Sequence, residues 1–206
     1  MWEQMSAREA IALKSEDRRE KILQAAERCF VASGFHGARM AQIAKEAGMS
    51  PGHVYHYFDS KEQIIAEMVR AHSGEKREMV ERFEAAGDKL VDHMVDNLEE
   101  SIDSSTDPFW SALTLEMAAE ATRNPEIAEV LRSTDCEIKS RVVACLAGQS
   151  GKEDIETRLE VLIALFQGLG VRNIINPELD KAAVIRVVKE VVETLFRRTG
   201  SESGDI

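Results

Sequence analysis

Two histidines and two tyrosines crowd into five residues of the stretch KEAGMSPGHVYHYFDSKEQI (45–64): His53, Tyr55, His56 and Tyr57, with Lys61 four positions on. Three kinds of chemistry use these residue types. Imidazoles can chelate a metal, aromatic rings can fill a core, and imidazoles, phenols and a lysine together can meet the base edges and phosphates of a nucleic acid. His53 and His56 are three apart, but no cysteine or carboxylate stands at a ligand spacing beside them and HExxH is absent. No metal and no cofactor is predicted, and no nucleophile with a base or phosphate loop suggests an enzyme.

The elements that must carry these residues are legible from their punctuation. Ser50 and Pro51 form an N-cap followed by proline at the first helical position. Gly48 supplies the left-handed residue that ends a preceding helix, Met40 to Ala47. A third helix runs from Pro51 to about Phe58, and Ser60 with Gln63 has capping-box spacing that starts a fourth. Asp17 with Glu20 marks the start of a first helix whose inner face is Ile22, Ala25, Ala26, Cys29 and Phe30, ending near Ser33-Gly34. Small Ala44 lets the second and third helices approach, and Ile43, Val54 and Phe58 fill the wedge between them. This is a helix-turn-helix layout. Gly52, His53 and His56 then share an outward face near the N-terminus of the third helix, where side chains reach base edges. Tyr55 and Tyr57 are placed to donate to phosphates, as is Lys61 in the first turn of the fourth helix. Arg39, Gln42 and Ser50 complete the candidate DNA-contacting set.

Downstream the chain reads as helical throughout. Gly74 is a candidate kink, and breaks near Gly87-Asp88, Ser104 to Pro108, Asn124-Pro125, Gly148 to Asp154 and Asn176-Pro177 delimit about five more helices. The valine-rich run from Val184 to Leu195 carries charges every three to four residues and is therefore a helix, not a strand. The fold class is all-α: a helix-turn-helix domain over 1–63, with 1–16 as an arm, and a helical domain over 64–206. In the second domain Met94, Phe109, Trp110, Leu113, Met117 and Phe166 are candidates for a pocket that takes a small apolar effector, and Glu116 and Glu120 would favour a cationic one. Leu162, Phe166, Val188, Val191 and Leu195 are candidates for a dimer interface. The tail TGSESGDI is expected to be disordered.

Charge agrees with this division. The net charge is −11 over 206 residues, yet residues 1–70 hold 10 Lys and Arg against 10 Asp and Glu, so the remaining 16 against 27 carry the whole excess. A neutral head can approach phosphate where an acidic body is repelled. No apolar run approaches a membrane span or a secretory signal, which predicts a cytoplasmic protein. Cys29, Cys136 and Cys145 read as reduced thiols, and Cys136 and Cys145, nine apart on one helix, lie too far apart to pair directly.

The stretch REKILQAAERCFVASGFHGARMAQIAKEAGMSPGHVYHYFDSKEQI resembles the N-terminal domain of the tetracycline-repressor (TetR) family of bacterial regulators. The residues that carry the likeness include Ile22, Ala25, Phe30, Gly34-Phe35, Ile43-Ala44, Ala47-Gly48, Tyr55, Tyr57-Phe58 and Ser60-Lys61. The resemblance implies a homodimeric repressor of a pseudo-palindromic operator. In it the third helix enters the major groove, Tyr55 and Lys61 touch the DNA backbone, and the C-terminal domain binds a small molecule. Arg39 departs from the family, which has Ser or Thr capping the second helix. The competing readings are a helical metal-binding enzyme and a scaffold that uses the His53/His56 face without DNA.

Overall fold

The computed structural model describes residues 7–150 and 154–197. Among them every regular element is helical: ten α-helices and one 3-10 turn, the all-α class expected. The end of the expected arm (residues 1–6) and the tail TGSESGDI lie outside the described residues. The helices form two compact units. One runs to Ala71 and takes in Leu113–Leu131; the other comprises His72–Ala112 and the chain from Arg132 onward. The division expected after residue 63 thus falls eight residues later, inside one continuous helix, and the first unit reclaims a distant segment.

In the first unit, α1 (Ala7–Gly37) starts ten residues before Asp17. The upstream stretch AREAIALKSE is rich in good helix formers and holds no Gly or Pro, so nothing stops the helix from extending back. Residues 7–16 are therefore helix rather than arm. Asp17 does not cap; it sits in mid-helix with its carboxylate 2.7 Å from Lys21 Nζ. Helical geometry breaks at Gly34 (φ 69, ψ 163), and one more turn carries the chain to Gly37. Next come α2 (Met40–Glu46), α3 (Pro51–Tyr55) and α4 (Lys61–Ala86). α3 is a turn shorter than expected: the amides of Tyr57 and Phe58 both return to Val54 O, at 2.9 and 3.0 Å, and this tight turn drives Phe58 inward. Gly74 produces no break in α4. Ile22, Phe30, Ile43, Val54, Phe58 and Met68 are fully buried in this unit, each worth about 1.5–3 kcal/mol on removal from water.

Beyond α4 the chain continues with the 3-10 turn Gly87–Lys89, α5 (Leu90–Asp96), α6 (Leu98–Ser105), α7 (Pro108–Ala121), α8 (Pro125–Ser150), α9 (Ile155–Ile175) and α10 (Lys181–Phe196), all in the second unit except residues 113–131 of α7 and α8. The starts of α7 and α8 follow the predicted punctuation, and α10 starts four residues past the expected Asn176-Pro177, at a cap not foreseen. Asp107 Oδ1 accepts from Trp110 N at 2.9 Å, Asn124 Oδ1 from Glu126 N at 3.1 Å, and Asp180 Oδ1 from Ala183 N at 2.9 Å. The valine-rich run is helical, as its charge spacing required. α10 packs on α5, α6 and α9 through Val188, Val192 and Phe196. A polar knot joins α9 to the α6–α7 turn: Asn173 Nδ2 donates to the buried Thr106 O at 2.7 Å, and Gly170 lies against Ser105 and Ser111.

Candidate nucleic-acid interface

The turn between α2 and α3 is built from backbone hydrogen bonds that only its glycine permits. Ala47 N donates to Ile43 O and Met49 N reaches back to Ala44 O, both at 2.8 Å, with Gly48 at φ 68 between them. Ser50 Oγ then accepts His53 N at 3.3 Å and opens α3. Ile43, Ala44, Val54 and Phe58 have no solvent exposure, so the wedge is filled as the sequence predicts. Arg19 closes the unit from behind: its guanidinium lies 4.7 Å over the Phe58 ring, donates to Tyr57 O at 3.3 Å and pairs with Glu67 at 3.1 Å.

With Val54 inward, α3 presents Gly52, His53, Tyr55 and His56 outward. Tyr55 is 50% exposed, and nothing lies within 4 Å of a Cβ placed on Gly52. Tyr57 organises both imidazoles: His53 stacks on it at 5.6 Å and His56 meets it edge-on at 5.4 Å. Both imidazoles therefore pack on Tyr57, His53 half-buried and His56 exposed. Among the described residues, no group of three His, Cys, Asp or Glu side chains converges as a metal set.

Three of the expected contacts are already engaged within the fold. Lys61 does not point outward as a free cation: its Nζ donates to Phe35 O at 2.7 Å and Ala38 O at 2.8 Å, and sits 4.5 Å from the centre of the Phe35 ring. These carbonyls are exposed to Lys61 because α1 breaks beside them, so the lysine caps α1. Gln42 Oε1 accepts Arg39 N at 2.8 Å, which supplies the start of α2 that Arg39, having no acceptor, cannot. Ser50 is occupied by its own cap. Arg39 itself is exposed.

The sequence reading missed Lys14, Arg18 and Lys21. Lys14, in the unforeseen upstream part of α1, lines an open groove with Arg18, Lys21, His53 and the turn Ala47–Ser50. Their spacing of four and three was a helical signal, obscured because the helix was started at Asp17. Asp17 shares the groove and pairs with the exposed Lys21, beside the two other exposed cations Lys14 and Arg18.

The expected effector set divides between the units. Met94, Phe109, Trp110 and Phe166 belong to the second, where Trp110 meets His72 edge-on at 4.2 Å and Phe109 at 5.2 Å. Leu113, Glu116, Met117 and Glu120 belong to the first. Glu116 accepts the Phe35 N–H at 3.1 Å and Glu120 faces His36 Nε2 at 3.2 Å. Glu116 is thus partnered by a backbone amide, whereas Glu120 Oε2 is buried without a hydrogen bond and has His36 and Arg123 as ion-pair neighbours. Of the expected dimer residues, two are turned into the core. Leu162 and Val188 are 4% and 3% exposed and face their own core; Phe166, Val191 and Leu195 are half-buried. The outward apolar residues are their neighbours Val161, Val171, Ile174 and Val187. Burial raises the Cys29 and Cys145 thiols above their ordinary range, which disfavours the reactive thiolate.

Comparison with known proteins agrees with this geometry. Residues 22–68 match the family described as bacterial regulatory proteins, tetR family, and residues 85–197 match the C-terminal domain of BetI-type transcriptional repressors. The HTH-type transcriptional regulator UidR of Escherichia coli K12 is 33% identical over 164 residues, 77% of this chain and 81% of that protein. The regulator BetI of Rhizobium meliloti is 26% identical over 190 residues, covering 89% and 91% of the two chains. Among solved structures, Salmonella enterica GusR superposes with a TM-score of 0.65 at 28% identity, over 87% of this chain and 95% of that one. Among the described residues no helix is long and apolar enough to cross a membrane. The chain belongs to the tetR family of bacterial regulatory proteins: it is a helix-turn-helix transcriptional regulator, not an enzyme.

Proposed function

We propose that the protein is a cytoplasmic, homodimeric repressor that holds a pseudo-palindromic operator and leaves it when a small apolar effector binds its C-terminal body. The observation that carries the reading is the outward face of α3, where Gly52, His53, Tyr55 and His56 stand clear of a fully buried Val54. Gly52 admits the DNA surface, His53 and His56 read base edges, and Tyr55, Tyr57 and Arg39 meet phosphates. Lys14 and Arg18 add phosphate contacts from α1. The aromatic cluster of Phe109, Trp110 and His72 favours an apolar ligand.

The test is enrichment of random-sequence duplexes on the purified protein, followed by the mass of the complex. A repressor of this kind enriches an inverted repeat whose half-sites lie about one helical turn apart, roughly 34–36 Å, and binds it as two chains. Enrichment of no sequence, or of a single unrepeated site bound by one chain, overturns the reading.

A further inference from the structure

Where α1 breaks at Gly34, the backbone leading into α2 is gripped by two other helices. Lys61 of α4 takes the carbonyls of Phe35 and Ala38. Glu116 of α7 takes the amide: its Oε2 accepts the Phe35 N–H at 3.1 Å, and its oxygens lie 3.5 and 3.8 Å from where a Cβ on Gly34 would stand. One turn further along α7, Glu120 is only 3% exposed and faces His36 Nε2 at 3.2 Å, with Arg123 at 3.8 Å.

Two carboxylates in this position are costly to desolvate, and a purely structural contact would be served as well by an apolar side chain packed on Gly34. What an apolar residue cannot do is accept the amide that the kink leaves without its helical partner. Ala38 and Arg39 alone separate the end of α1 from α2, and α3 packs on α2. The direction in which α2 leaves is therefore set at Phe35, and the aim of the reading face follows from it.

We propose that Glu116, supported by Glu120, is a positioning residue for DNA reading: its hydrogen bond to Phe35 N–H fixes the α2–α3 pair in the orientation that fits the operator. This rests on the DNA reading assigned above and deepens it. α7 is one unbroken helix whose first residues, Pro108–Ala112, belong to the second unit.

The experiment compares wild type, E116A, E116Q and E116D on the duplex that wild type enriches and on a random-sequence duplex, with melting measured alongside. E116A is expected to lose at least tenfold in operator affinity and clearly less on the random duplex, because nonspecific phosphate binding tolerates a shift of the α2–α3 pair that base reading does not. E116Q retains an acceptor oxygen and is expected to return to within about threefold of wild type. If E116A does not fold, E116D, with the charge kept and the reach shortened by a methylene, is expected to show the same selective loss. Unchanged operator preference in the folded variants overturns the proposal, as does a parallel loss on both duplexes. Failure of the wild type to enrich any duplex overturns the DNA reading itself, a result distinct from both.

Discussion

A methyl group at Gly52 would meet no atom of the protein within 4 Å, so this residue separates folding from recognition. Gly52→Ala is expected to leave the circular dichroism and melting temperature unchanged or slightly raised, since alanine favours helix over glycine by about 1 kcal/mol. Its operator affinity should nevertheless fall about tenfold or more, measured by mobility shift, because the methyl occupies space reserved for the DNA. His53→Ala and His56→Ala are expected to change which base is preferred, at about 1–3 kcal/mol per altered contact, with nonspecific binding little affected. An unaltered ranking of sequences would remove the histidines from the reading face. Lys61 behaves differently. Its two carbonyl bonds make Lys61→Ala a stability mutation, worth about 2 kcal/mol by denaturant unfolding. A variant that melts normally yet binds DNA weakly would return Lys61 to the phosphate backbone.

At the scale of elements, close packing and paired charges hold the second unit. A Cβ on Gly170 would stand 2.7 Å from Ser105 O and 2.8 Å from Ser111 Oγ, so Gly170→Ala forces α9 from the α6–α7 turn at a cost of about 1–3 kcal/mol. Across the surface, Arg141 holds the Glu84 carboxyl, and Arg77 that of Glu137, below the ordinary carboxylate value of 4.5 by hydrogen bonding. A carboxylate depressed in the folded state stabilises above its unfolded pKa and ceases to do so as pH falls through the folded value. The melting temperature should accordingly decline below about pH 4.5, and less steeply in an R77Q/R141Q variant or in high salt. The helices themselves were legible wherever a local signal ended them. Gly48, Ser50-Pro51, Asp107 and Asn124 each act within four residues, and each falls where the chain turns; the cap of α10, Asp180, lies past the expected break at Asn176-Pro177. The start of α1 was not, because Asp17 and Glu20 have capping-box spacing in a helix dense with charge. Nor could spacing reveal that Lys61 and Glu116 close on Phe35, since those pairs are 26 and 81 residues apart.

At the scale of the whole molecule, the open question is what covers α9 and α10. Valines stand on every side of α10, so the sequence period could not decide between Val187 and Val188. The structure turns Val188 into the core and leaves Val187 59% exposed. On α9, Val161, Ala164, Gly168, Val171 and Ile175 recur at intervals of three and four, all exposed, and their small members permit a close helix approach. Next to Val187, the residues Val191, Thr194 and Leu195 line a shallow depression. An apolar face spanning two helices is what a two-fold pairing of four helices requires, and residues that meet their own symmetry mates make each substitution count twice. Val187→Glu is therefore expected to give a folded monomer by light scattering, with unchanged circular dichroism and at least a hundredfold weaker operator binding, because one chain reaches only one half-site. Val188→Glu, by contrast, places a charge in the core and should lower the melting temperature whatever the oligomeric state. If Val187→Glu remains dimeric and keeps its operator affinity, α9 and α10 are not the pairing surface, and the half-sites must be spaced by another contact.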